Sequence, residues 1–216
     1  MTIYKHIYLP LLLLFTSCAT INHTVTRITV GLSMKKHEIS HEEVVNVPKK
    51  YFPQNITIGK FKENYFLDMR NDSSLYHIEN SKDKSVFSNL IVQPLNCMFF
   101  DESNKLIAAY SICDADLVKT KLTWNYYLSK RHIVKNIDIS HNVTFGVVDK
   151  YIEKLAVNNS KASGNKVVLC WSKIGGRQTK NYFKEFSDYL SKSNYNIYVV
   201  NCDEAINKLP VTSSQN

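Results

Sequence analysis

The chain has 216 residues, 44% of them hydrophobic and 12% aromatic, and a formal net charge of +8. That content is too apolar for a disordered polar chain, and beyond the N-terminal apolar run no stretch approaches the ~20 residues that span a bilayer. Only four of the 27 basic residues are arginine (Arg27, Arg70, Arg131, Arg177) and the lysines are scattered, so the charge reads as a solvated basic surface and no nucleic-acid partner is expected.

Lys5 and His6 precede an apolar run at 7–14, and Phe15-Thr16-Ser17-Cys18 closes it. A basic start, a short apolar core and small residues before a cleavage point make a signal peptide rather than a membrane span. The small residues followed by Cys18 resemble the lipobox of bacterial lipoproteins, with Phe15 in place of the usual leucine. The resemblance implies a signal peptide over 1–17, lipid attachment at Cys18, and an anchor and tether over 18–45. Two or three acyl chains give durable anchoring where one would not. By the same resemblance, Ala19 in place of an aspartate favours the outer membrane with the body facing the periplasm. The absence of an acidic cluster over 19–23 argues against the cell surface in a Bacteroidota-like host. The implied partners are the membrane, through the lipid, and an unknown protein or small molecule.

Ile28, Val30, Leu32 and Met34 alternate as in a short strand. His37-Glu38-Ile39-Ser40-His41 then matches the H-E-x-x-H pattern, in which two histidines one helical turn apart hold zinc and the glutamate serves as general base. Lys35 and Lys36 stand where such helices bury apolar residues, and Pro48 follows soon after. The segment reads as a charged domain edge, and no metal, cofactor or catalytic residue is assigned.

Residues 46–140 read as β-rich. Ile56 and Ile58 alternate, while Tyr65-Phe66-Leu67 and Leu75-Tyr76-His77-Ile78 are strand candidates between polar turns. Residues 97–113 read as a hairpin turning at Asp101-Glu102-Ser103-Asn104. That turn pairs Phe100 with Lys105 and Cys97 with Ala108, which leaves Cys113 out of register for a bridge to Cys97. Pairing among Cys97, Cys113, Cys170 and Cys202 otherwise stays open. Residues 119–134 fit either a helix or a strand.

Residues 141–216 are better organised. Phe145, Val148, Ile152 and Leu155 recur at helical spacing. Val167-Val168-Leu169-Cys170-Trp171 is a compact apolar run and hence a buried strand, and Gly175-Gly176 opens a loop. Thr179 is placed to cap a helix whose apolar stripe is Tyr182, Phe183, Phe186, Tyr189 and Leu190. Ile197-Tyr198-Val199-Val200 is a second buried strand. Strand, helix and strand in that span make a βαβ unit with adjacent parallel strands. The expected fold class is therefore α+β, with a β-rich N-terminal part and a C-terminal βαβ part.

Residues 166–204 resemble the first half of a thioredoxin domain of the exported, lipoprotein-borne kind. The shared features are the Val-Val-Leu-x-Trp strand ending at Trp171, a short loop, an amphipathic helix, and the strand ending in Val199-Val200-Asn201-Cys202-Asp203. The family opens that helix with a CxxC pair, where this chain has Gly175-Gly176-Arg177-Gln178. Without a thiolate at the helix N-terminus there is no nucleophile for disulfide exchange. The family's two further strands and its proline facing the loop do not follow in the few residues after Glu204. The resemblance implies a redox-inactive binding or scaffolding module. A rival β-propeller-like arrangement would pair strands within 64–80, 97–113 and 193–209, although the chain is short for blades of ~40 residues each.

Overall fold

Two wholly buried strands, Lys166–Trp171 and Asn196–Asn201, pair in parallel with Val168 opposite Tyr198 and Trp171 opposite Asn201. In the computed structural model, which describes residues 38–53, 56–71, 93–112, 116–118, 121–123, 143–157 and 164–209, this pair is the centre of a mixed six-stranded sheet. In chain order the elements are α1 (His41–Lys49), β1 (Ile56–Phe61), α2 (Tyr65–Asn71), β2 (Asn96–Phe100) and β3 (Leu106–Ser111). There follow β4 (Asp116–Val118), β5 (Lys121–Thr123), α3 (Phe145–Asp149), β6 (Ile152–Val157) and β7 (Lys166–Trp171). A 3-10 turn (Lys173–Gly175), α4 (Arg177–Leu190), β8 (Asn196–Asn201) and α5 (Asp203–Asn207) complete the series.

The strand order is β3-β2-β7-β8-β1-β6, and β4–β5 form a separate antiparallel pair. Strands β7, β8 and β1 run parallel, while β2 and β6 flank them antiparallel. The fold is α+β. Strands from the 46–140 stretch and the 141–216 stretch interleave, since β1 lies between β8 and β6 and β2 lies beside β7.

Helices cover both faces, so the inner strands are apolar at nearly every position rather than alternating. On one face Ile58, Phe99, Leu169 and Val199 pack under Val44 of α1 and Tyr182, Phe183, Phe186 and Leu190 of α4. On the other, Phe61, Met98, Val168, Cys170 and Val200 meet Tyr65, Phe66 and Met69 of α2, Phe145 and Val148 of α3, and Ala205 of α5. No helix among the described residues is long and apolar enough to cross a membrane.

Several local expectations give way to tertiary packing. Tyr65, Phe66 and Met69 lie on a helix, not a strand, because an i, i+1, i+4 spacing buries all three against one face. The helix at 145 stops after Asp149, and Ile152 and Leu155 lie on β6, where pairing with β1 satisfies the backbone. The β2–β3 hairpin forms, but Cys97 faces Tyr110 rather than Ala108. Asp101 and Lys105 close the loop, Asn104 takes a positive φ of 67°, and a bulge at Phe99/Phe100 shifts the register. The propeller-like arrangement falls, since its expected strand pairs at 64–80 and 193–209 contain α2 and α5. Residues 28–34 and 75–78, and most of 119–134, lie outside the described residues, as does Cys113.

Candidate functional site

The carboxyl ends of β7 and β8 form the crevice of the sheet. From β7 the chain crosses into α4 on one face, and from β8 it enters α5 on the other. Parallel strands whose connections part in this way leave an open cleft at their carboxyl ends, the usual place for ligands in α/β sheets.

A buried polar knot closes the floor of that crevice. Ser172, the residue after β7, donates its hydroxyl to Asp203 Oδ1 at 2.5 Å. The same carboxylate accepts from the Lys173 backbone N–H at 3.0 Å and from Asn201 Nδ2 at 2.7 Å, and Asp203 N–H donates back to Asn201 Oδ1. Ser172 is inaccessible and Asp203 and Asn201 are 1% exposed. A buried carboxylate is tolerable because several donors replace its water. Ser172 Oγ also accepts from Ile174 N–H, and Thr179 Oγ1 donates to Ser172 O.

The turn above the knot depends on two glycines. Gly176 has φ 53° and ψ −126°, a conformation that a Cβ disfavours. At Gly175 a Cβ would run into the Thr179 hydroxyl and come within 3.2 Å of Leu95. Helix α4 therefore starts at Arg177, three residues before the start expected with Thr179 as cap, with Gly176 at its N-cap and no side chain capping it. Thr179 is inside the helix, its hydroxyl turned back to the strand rather than capping.

Beside this turn, between α1 and the start of α4, lies a cavity of about 540 Å³. Ile39, Val47 and Trp171 form apolar walls, while Glu43, Lys173, Arg177 and Lys180 stand around it. Lys173 Nζ pairs with Glu43 Oε1 at 2.9 Å, tying the turn to α1. Glu43 also completes a capping box with Ser40, whose Oγ accepts from Glu43 N–H at 3.1 Å. Trp171 is 2% exposed, and its indole N–H finds no acceptor among the described residues.

The H-E-x-x-H segment is not a helical zinc motif. Ser40 is an extended N-cap (φ −76°, ψ 154°), so α1 begins at His41, where the motif ends. Glu38 and His41 are exposed, and His37 lies outside the described residues. Among the described residues no cluster of three histidine, cysteine or acidic side chains is placed to hold a metal. Cys18 also lies outside them.

Cys97, Cys170 and Cys202 are buried and form no disulfide among the described residues. Cys97 belongs to the face under α1 and α4, whereas Cys170 and Cys202 belong to the opposite one. Burial pushes the Cys170 and Cys202 thiols well up from their ordinary value, and Cys202 Sγ donates to Trp171 O at 3.1 Å. Sequence inspection singled out Trp171 and the two glycines but not Ser172, Lys173 or Glu43 as a site. Ser172 and Asp203 are 31 positions apart, and only the parallel register brings them together.

No family model matches the chain, and neither a curated protein nor a solved structure does.

Proposed function

We propose that this is a bacterial lipoprotein, acylated at Cys18 and held at the outer membrane facing the periplasm, whose body is a thioredoxin-like binding or scaffolding module without redox activity. The observation that carries the second half is the opening of α4. The residues that lead into it are Gly175-Gly176-Arg177-Gln178, while the nearby thiols of Cys170 and Cys202 are buried and held protonated by that burial. A protonated, inaccessible thiol is a poor nucleophile.

The hairpin β2–β3 supports the thioredoxin-like part of this reading. It lies antiparallel beside β7, where two strands were wanting after β8, and it comes from earlier in the chain. Pro94 precedes it, with its carbonyl 3.8 Å from Cys202 Sγ, and Leu95 packs against the Gly175 turn. The family's proline has a cis bond, and no cis bond is present among the described residues, which sets this chain apart.

Fractionation and metabolic palmitate labelling of the wild-type chain and Cys18→Ala test the anchor. The wild type is expected in the outer-membrane fraction with label, and Cys18→Ala without label; an unlabelled wild type overturns the lipoprotein reading. In a thiol–disulfide exchange assay the protein is expected to be inert, and activity lost on Cys170→Ala or Cys202→Ala would overturn the binding-module reading.

A further inference from the structure

The lysines on the two faces of the sheet differ in what holds them. On the face of α2, α3 and α5, Lys60 pairs with Glu204, Lys154 with Asp149 and Lys208 with Glu63, and Lys62 Nζ donates to Lys150 O. On the face of α1 and α4, Lys49, Lys50, Lys180 and Lys184 are exposed, and their ammonium groups make no ion pair or hydrogen bond among the described residues.

These four share one surface. Lys180 and Lys184 are one turn apart on α4, opposite its buried stripe of Tyr182, Phe183, Phe186 and Leu190, so they project away from the sheet. The rings of Tyr51 and Phe52 pack on Phe183 at centroid distances of 5.4 and 5.7 Å, which sets Lys49 and Lys50 beside the same turns of α4. Glu42 and Asp188 are exposed acids of these two helices, and neither bonds to any of the four lysines. Arg177 follows the same stripe but has an interaction of its own. The chain also enters the body on this surface, because α1 is the first described element. The stretch 19–40 between Cys18 and α1 reaches at most ~80 Å when extended. A lipid on Cys18 therefore holds the α1–α4 surface within that distance of a bilayer, at high effective concentration.

We infer that the α1–α4 surface docks on an anionic phospholipid surface through Lys49, Lys50, Lys180 and Lys184, with α2, α3 and α5 turned away from the membrane. Each lysine close to such a surface strengthens attachment by about fivefold. Spread over two helices and standing clear of any pocket, the four suit a diffuse layer of headgroup charge. The inference rests on the lipoprotein reading for the tether and adds how the body lies on the membrane.

Lysine footprinting tests it on the full chain, purified from whichever fraction holds it and mixed with nanodiscs. The nanodiscs are phosphatidylcholine alone or an equal mixture of phosphatidylcholine and phosphatidylglycerol. A neutral acetylating ester marks accessible lysines, and mass spectrometry reads each site. In the mixed discs Lys49, Lys50, Lys180 and Lys184 are expected to react about threefold or more slowly than in phosphatidylcholine. Lys62, Lys150 and Lys208, exposed on the opposite face, are expected to react equally in both. The protection is expected to vanish in about 1 M NaCl, where charge is screened within ~3 Å. In the variant Lys180→Gln/Lys184→Gln, whose substituted residues are exposed, Lys49 and Lys50 are expected to lose at least half of their protection.

Equal reactivity of the four lysines in both discs overturns the inference. So does equal protection of Lys62, Lys150 and Lys208, which would mark a charge effect without orientation. If poly-L-glutamate in phosphatidylcholine discs protects the four as strongly as phosphatidylglycerol does, the surface takes an acidic polypeptide as readily, and the lipid assignment falls. Palmitate on Cys18 with unprotected lysines would leave the lipoprotein reading and strike the docking surface. Protection without palmitate would strike the anchor and leave the docking surface standing.

Discussion

Ser172 and Asp203, each the first or second residue past a parallel strand, share a 2.5 Å hydrogen bond that joins the ends of β7 and β8. The carboxylate is buried and has no solvent to fall back on, so every donor around it matters. Ser172→Ala is expected to cost about 1–2 kcal/mol and Asp203→Ala about 3 kcal/mol, because the latter orphans three donors at once. Urea midpoints of the two single variants and the double check this. The double should cost much less than the sum, and strict additivity would show that the two residues act independently.

The surface pairs should behave otherwise. Lys173–Glu43 and Lys60–Glu204 are 26–44% exposed at their side chains, and a solvated pair contributes roughly 0–1 kcal/mol. The Glu204 hydrogen bond raises the Lys60 pKa, against the opposing effect of partial burial. Lys60→Met should nevertheless lower the unfolding free energy obtained from urea titration by well under 1 kcal/mol. A loss as large as that of Asp203→Ala would refute this ranking.

Gly176→Ala should destabilise by about 1–2 kcal/mol, since φ 53° with ψ −126° admits a Cβ only under strain. Gly175→Ala should cost at least as much, by forcing apart the Gly175 turn, Thr179 and Leu95. Thermal melts of both variants decide it. A neutral Gly176→Ala would mean that the turn adopts another conformation in solution.

Stability should fall in alkali. Burial raises the pKa of Tyr65, Tyr182, Cys170 and Cys202 above ordinary values of 10.0 for the phenols and 9.0 for the thiols. Below those values both the folded and unfolded chains keep the protons. Above them the unfolded chain releases its protons while the folded one retains them, so stability declines by about 1.4 kcal/mol per pH unit for each such group. Urea midpoints should be level below about pH 8.5 and drop beyond it. Cys170→Val should make the decline shallower between the thiol and phenol ranges; an unchanged slope would exclude the Cys170 thiol from it.

Legibility in the sequence followed how local the cause was. The β7 and β8 runs, the α4 stripe and their βαβ order were plain, because long apolar periods specify an element and its buried face without help from elsewhere. Tyr65-Phe66-Leu67 was not, since a short apolar run fits a helix or a strand until something packs on it. The hairpin between Cys97 and Tyr110 was visible as a hairpin but not in register, because the loop sets Phe100 opposite Leu106 rather than Lys105 and the bulge at Phe99/Phe100 adds a second residue of shift. Thr179 looked like a cap because its type suits that role, and two glycines just before it displaced the cap to Gly176.

The amino-acid order alone determined the lipobox expectation at Cys18, the missing CxxC at 175–178 and the βαβ unit, because each is written within a few consecutive or regularly spaced residues. Only the tertiary structure decided that β1 enters the sheet beside β8, that the Asp203 carboxylate is hydrogen-bonded by donors 2 and 30 or 31 residues away, and that α1 meets α4 over a cavity. Those are contacts between distant segments, chosen by which faces bury together, and no local period encodes them.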